Sequence, residues 1–99
     1  MQTAVNLQPN DLETVRVLGI VQGQTGRLDE AVKSFKRAIE LNPKSSRDYY
    51  LLARALAAMG QLAEAVPYFA QAVVLDPQNA EARQDLERAE RDVKAGIKR

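Results

Sequence analysis

Three of the four prolines, Pro9, Pro43 and Pro77, stand 34 residues apart, and each has a leucine two positions before it: Leu7, Leu41 and Leu75. A proline cannot continue a helix beyond its first turn, so regular prolines punctuate a regular helical unit. Sliding the sequence by 34 residues lays Leu18 on Leu52, Gly26 on Gly60, Leu28 on Leu62, Ala31 on Ala65, Phe35 on Phe69 and Ala38 on Ala72. Such a chain is restricted to a stack of similar units, each burying its apolar face against its neighbours.

Within each period the apolar residues follow helical spacing. Val15 and Leu18, then Val32, Phe35 and Ile39, mark the first unit; Tyr49, Leu52 and Leu56, then Val66, Phe69 and Val73, mark the second. This predicts two helices per unit, over roughly 12 to 25 and 29 to 41, then 46 to 59 and 62 to 75. Gly26 and Gly60 fall between paired helices, where a residue free to adopt the left-handed conformation ends a helix at little cost. Asn10 with Glu13, Ser45 with Asp48, and Asn79 before Ala80 put short polar side chains where a new helix has unpaired amides. Pro67 is the one breaker inside a helix, placed near its first turn and expected to kink it slightly.

The two ends differ. Over 80–99, Ala82, Leu86, Ala89, Val93 and Ile97 form a single apolar stripe, with Glu87 and Glu90 where a repeat would carry packing residues, which predicts a capping helix that closes the stack. Over 1–11, Ala4, Leu7 and Pro9 keep the register of Ala38, Leu41 and Pro43, as a remnant of a preceding repeat helix would, so the array is expected to begin in mid-repeat. The expected organisation is therefore all-α: a remnant at 1–11, repeats at 12–45 and 46–79, and a cap at 80–99.

The chemistry open to this chain is narrow. Fourteen Lys plus Arg against 13 Asp plus Glu leave a net charge of +1, which argues for neither nucleic acid nor an anionic membrane as partner. With no Cys and no His, the thiolate nucleophile and the commonest general base and metal ligand are missing. No carboxylate pair sits on a burying face, so no catalytic, metal or cofactor site is expected, and the chain is not expected to be an enzyme. Neither a secretory signal nor an apolar run of about 18 residues is present, which predicts a soluble, cytoplasmic protein.

The residues resemble the tetratricopeptide repeat family, whose pattern is an aromatic, Leu-Gly, Tyr, a turn Gly, Ala, an aromatic, Ala and Pro. The first unit supplies Val15, Leu18, Gly19, Gln22, Gly26, Ala31, Phe35, Ala38 and Pro43; the second supplies Tyr49, Leu52, Ala53, Leu56, Gly60, Ala65, Phe69, Ala72 and Pro77. Val15 replaces the usual aromatic and Gln22 the usual Tyr, which predicts thinner packing in the first pair. The pentatricopeptide family has a similar period but is typically basic and binds RNA, and the Ala, Phe, Ala, Pro set argues against it.

The resemblance implies a protein-interaction module in which the first helix of each repeat lines a concave groove for a peptide or partner segment. By repeat position the groove takes Glu13, Arg16, Ile20 and Gln24; then Arg47, Tyr50, Arg54 and Ala57; then Glu81, Gln84, Asp85, Arg88 and Arg91. Arg54 and Arg88 are 34 apart with Arg16 nearby, a row of guanidinium groups suited to an acidic partner; the alternative is that they are solvated or paired with Asp85 or Glu81. The Lys and Asn set with which some members of the family clamp chaperone tails is not matched, since the corresponding positions read Arg16, Ile20 and Arg54. Tyr49 belongs to the packing stripe, whereas Tyr50 points toward the groove.

A second surface follows from comparing the outward faces of the two second helices. Lys33, Lys36, Arg37 and Glu40 become Pro67, Ala70, Gln71 and Val74, with Tyr68 adjacent, so a charged face turns apolar. That patch is a candidate for weak self-association, against the alternative of packing on the chain's own tail. A structural reading, in which the chain is a piece of a longer scaffold array, stands beside the groove reading.

Overall fold

The computed structural model describes residues 12–96, which form five helices: α1 Leu12–Gln24, α2 Leu28–Leu41, α3 Ser46–Ala58, α4 Leu62–Leu75 and α5 Ala80–Lys94. Each helix packs on the next along the chain, and α1 also touches α3, so the architecture is a helical solenoid with nearest-neighbour interfaces. The remnant expected at 1–11, the cap at Asn10 and the stripe position Ile97 lie outside the described residues.

The turn chemistry follows from the glycines. Gly26 and Gly60 have φ of 86° and 84°, the left-handed region that side-chain-bearing residues avoid. In both turns the next residue's amide reaches back five residues, Arg27 to the Gln22 carbonyl at 2.8 Å and Gln61 to the Leu56 carbonyl at 2.9 Å. These bonds satisfy carbonyls that the helix end would leave unpaired. α3 and α5 start on side-chain caps: Ser45 Oγ accepts from the Asp48 amide and Asn79 Oδ1 from the Ala82 amide.

Phe35 and Phe69 are the largest buried anchors of the two pairs, flanked by Ala31, Ala38, Ala65 and Ala72, all fully buried. The alanines let helices approach closely, and the rings fill the space between them. The fit is tight at Gly19, where an added Cβ would lie 2.7 Å from Phe35 Cε1. Helix propensity favours replacing Gly19 with Val by a fraction of about 1 kcal/mol. Overpacking opposes it, so Gly19→Val is expected to destabilise the chain by about 2 kcal/mol net in urea unfolding.

Pro67 lies early in the second turn of α4, close to the first as expected, and is exposed; α4 continues through it, leaving the Ala63 carbonyl without its helical partner. Two expectations are corrected in detail. Leu18, expected on the packing stripe, is 47% exposed, whereas its repeat equivalent Leu52 is fully buried. The difference is positional: α2 covers Leu52 on α3, and no described helix stands in that place for α1. Asp48, expected only beside the Ser45 cap, is fully buried and accepts two hydrogen bonds from Arg16.

Gln22, which departs from the family pattern, is bonded to Ser34. The Ser34 hydroxyl donates to Gln22 Oε1 at 2.7 Å, and Gln22 Nε2 donates to Glu30 Oε1 at 3.4 Å. One repeat further on, the same two positions are Leu56, buried, and Tyr68, packed against the core. A polar pair in one unit thus replaces an apolar pair in the other, and the Ser34 side chain is satisfied rather than orphaned.

Candidate functional site

The first helices α1, α3 and α5 present one face to a pair of adjoining hollows. The larger, of about 750 Å³, lies between α3 and α5 and is walled by Tyr50, Arg54, Ala57, Gln84 and Arg88, with Leu62 and Phe69 contributed by α4. The smaller, of about 320 Å³, lies between α1 and α3 and is walled mainly by Ile20, Gly23, Gln24, Leu51 and Ala55. Arg54 and Ala58 border both.

Of the residues singled out from the sequence, Tyr50, Arg54, Ala57, Glu81, Gln84, Asp85 and Arg88 meet in the larger hollow, and Ile20 and Gln24 in the smaller. Glu13, Arg16, Arg47 and Arg91 line neither. Arg16 is turned inward instead: its Nε donates to Asp48 Oδ1 at 2.7 Å and its Nη2 to Asp48 Oδ2 at 3.0 Å, a two-pronged pair across the α1–α3 joint. Asp48 is fully buried and the Arg16 side chain is 16% exposed. The hydrogen bond to Asp48 raises the Arg16 pKa above its ordinary value, against the opposing effect of burial. Arg16 is therefore a tie between repeats and is not offered to a ligand.

Tyr50 ties the next joint. Its hydroxyl donates to Asp85 Oδ2 at 2.7 Å, its ring meets Phe69 edge-on with centroids 6.0 Å apart, and the Arg54 guanidinium sits 5.7 Å from its ring centroid. Tyr49 stacks on Tyr68 at 6.3 Å, so Tyr68 faces inward rather than joining the outer patch. Of that patch, Pro67 is exposed, Ala70 is half-buried and Val74 is 70% exposed.

Burial, and after it the bond to Asp85, pushes the Tyr50 pKa up to about 12 from the usual 10. A group whose pKa rises on folding contributes stability that is complete below the unfolded value and is lost as pH climbs through the folded one. Stability measured by denaturant unfolding is thus expected to fall between pH 10 and 12, and Tyr50→Phe is expected to flatten that part of the profile. An unchanged slope in the variant would show that Tyr50 is not its source.

Charge in the larger hollow is mixed. Glu81, Asp85 and Asp92 stand with Arg54 and Arg88, and Arg88 Nη1 lies 3.9 Å from Asp85. Arg54 makes no ion pair among the described residues and is the cation at the junction of the two hollows. Sequence reasoning missed Asp48, Leu51, Ala58 and Asp92. Asp48 stands three residues after Ser45, where a Glu or Gln would reach back to close a capping box; the shorter Asp side chain was the signal that it serves something else. Among the described residues no group of three or more acidic side chains is placed to hold a metal ion, and no helix is long and apolar enough to cross a membrane.

No curated protein matches the chain. Among solved structures, MamA superposes with a TM-score of 0.83 at 23% identity, over 92% of this chain and 52% of that one. A second MamA structure, from MSR-1, gives 0.77 at 24% identity over 87% and 49%. A mutant of the Thermobaculum terrenum O-GlcNAc transferase gives 0.77 at 28% identity, over 82% of this chain and 16% of that protein. The chain thus spans about half the length of the MamA structures and about a sixth of the transferase. A sequence model of the tetratricopeptide repeat matches residues 16–80, most of the helical stack described above. The chain belongs to the tetratricopeptide repeat family.

Proposed function

We propose that this chain binds a segment of another protein along the two hollows, with Arg54 as the central contact. Tetratricopeptide repeats in general mediate protein–protein interaction, which sets the class of function. The observation that carries the finer reading is the position of Arg54, held over the Tyr50 ring, without a carboxylate partner among the described residues, at the point where the two hollows meet. A guanidinium fork in that position takes a carboxylate with two hydrogen bonds.

The surroundings narrow the ligand. A uniformly acidic segment would face Glu81, Asp85 and Asp92, so the hollow between α3 and α5 suits one carboxylate over Arg54 flanked by neutral or basic side chains. The smaller hollow, with Ile20, Leu51, Ala55 and Ala58, suits an apolar side chain next to it. Binding is by preformed helices and asks for no bond-making chemistry.

The test is a selection of peptides from a random display library on the wild-type chain, followed by titration against Arg54→Glu and Arg54→Glu/Arg88→Glu. Selected peptides should share one acidic position next to an apolar one, and the single variant should bind them at least about tenfold more weakly while its far-ultraviolet circular dichroism is unchanged. Equal affinity for the wild type and both variants would end the proposal.

A further inference from the structure

The larger hollow carries charge that its own walls do not neutralise. Asp85 is engaged, accepting from the Tyr50 hydroxyl at 2.7 Å with Arg88 Nη1 3.9 Å away. Arg54, Glu81 and Asp92 remain, none of them in an ion pair among the described residues. Glu81 belongs to the first turn of α5, where unpaired amides favour a carboxylate. Asp92 belongs to the last turn, where the unpaired carbonyls of the helix disfavour one. Arg88, four residues before it, pairs with Asp85 and not with Asp92. A half-buried, unpaired anion at the carbonyl end of a helix weakens the fold it belongs to. It stands, however, in the wall of the same hollow that Arg54 borders.

Resting on the reading of the two hollows as a binding groove, we propose that Asp92 receives a basic side chain of the same protein segment whose carboxylate lies on Arg54. A Lys or Arg at that point meets the Asp92 carboxylate and the negative end of α5 together. Taken in the order α1, α3, α5, the groove offers an apolar hollow, then Arg54, then Asp92. The segment that fits therefore carries an apolar, an acidic and a basic side chain in that spatial order. A segment with the two charges exchanged would set a base on Arg54 and an acid on Asp92, two like-charge contacts. The pair thus fixes the direction in which the segment lies as well as its composition.

The probe is a peptide selected from the random library on the wild-type chain, together with versions in which each of its basic residues in turn is changed to Glu. Asp92→Lys should bind the parent peptide about tenfold more weakly and Asp92→Asn about threefold, both losses shrinking in about 0.5 M salt. One of the changed peptides should bind the wild type about tenfold more weakly and recover that loss on Asp92→Lys, the crossed result expected of a direct contact. Because Asp92 opposes its own helix, the urea midpoint of both variants should equal or exceed that of the wild type; a lower midpoint would give Asp92 a structural role and overturn the proposal. Selected peptides with no basic residue, or recovery on Glu81→Lys in place of Asp92→Lys, would overturn it as well. Arg54→Glu, titrated alongside, keeps the two readings apart. Weaker binding to Arg54→Glu with unchanged binding to Asp92→Lys overturns the role of Asp92 and leaves the groove standing, whereas unchanged binding to Arg54→Glu removes both.

Discussion

Asp48→Ala is expected to destabilise the chain by about 3 kcal/mol or more, read as a lower urea midpoint with little change in slope. The reason is what remains behind. Asp48 is fully buried, and the Arg16 guanidinium that it holds at 2.7 and 3.0 Å loses its only described partner in the joint apart from Glu13 at 3.5 Å. Removing one half of a buried pair strands the other charge, which costs more than the pair contributes. Arg16→Met with Asp48→Leu removes both charges and is expected to recover stability to within about 1 kcal/mol of wild type. Salt should weaken the wild-type pair little, because the carboxylate is shielded from solvent. A loss below about 1 kcal/mol for Asp48→Ala would mean that the joint does not depend on the pair.

Leu52→Ala is expected to cost about 3 to 4 kcal/mol, since Leu52 is fully buried where α2, α3 and α4 meet and its removal leaves a cavity that fixed helices cannot close. Val74→Ala, on the other hand, should fall within about 0.5 kcal/mol of wild type, because Val74 is 70% exposed. Both are read by the same urea titration. For a chain of this size Leu52→Ala removes a large share of the total stability, so partial unfolding at 37 °C is part of the expected result.

Much of the fold was legible because repeat proteins state their packing twice. The Pro43 and Pro77 spacing, with Gly26 and Gly60, located four helices to within one or two residues, and Phe35 and Phe69 named the buried anchors. Tyr50, Arg54, Gln84 and Arg88, which line the larger hollow, were singled out through the family resemblance and the 34-residue register, whereas Ala58 and Asp92 were not. Side-chain partners were harder to see. Arg16 and Asp48 are 32 residues apart, off the 34-residue period, and they meet because a long Arg reaches across a joint rather than along a face. The exposure of Leu18 was hidden for the opposite reason: Leu18 and Leu52 stand one repeat apart, and among the described residues a helix covers Leu52 and none covers Leu18 in the same way. Gln22 read as a weakness in isolation, whereas its partner Ser34, twelve residues on, makes it half of a hydrogen-bonded pair.

The asymmetry between the two joints bears on binding. Arg16 with Asp48 ties α1 to α3, and Tyr50 with Asp85 ties α3 to α5, so each joint between the helices that wall the hollows carries a polar contact besides its apolar packing. Under the proposed function these contacts favour a preorganised surface for the ligand. The Tyr50 hydroxyl is engaged by Asp85, which leaves its ring as the platform that positions Arg54.

The most direct measurement of the central claim is a map of backbone amide chemical-shift changes in the wild-type chain as a library-selected peptide is added. The account predicts that the largest changes fall on Ile20, Leu51, Arg54, Ala58, Gln84 and Arg88, the residues of the two adjoining hollows, with those of Lys33, Lys36 and Val74 unmoved. Changes concentrated on the outer faces of α2 and α4, with Arg54 and Arg88 silent, would contradict it.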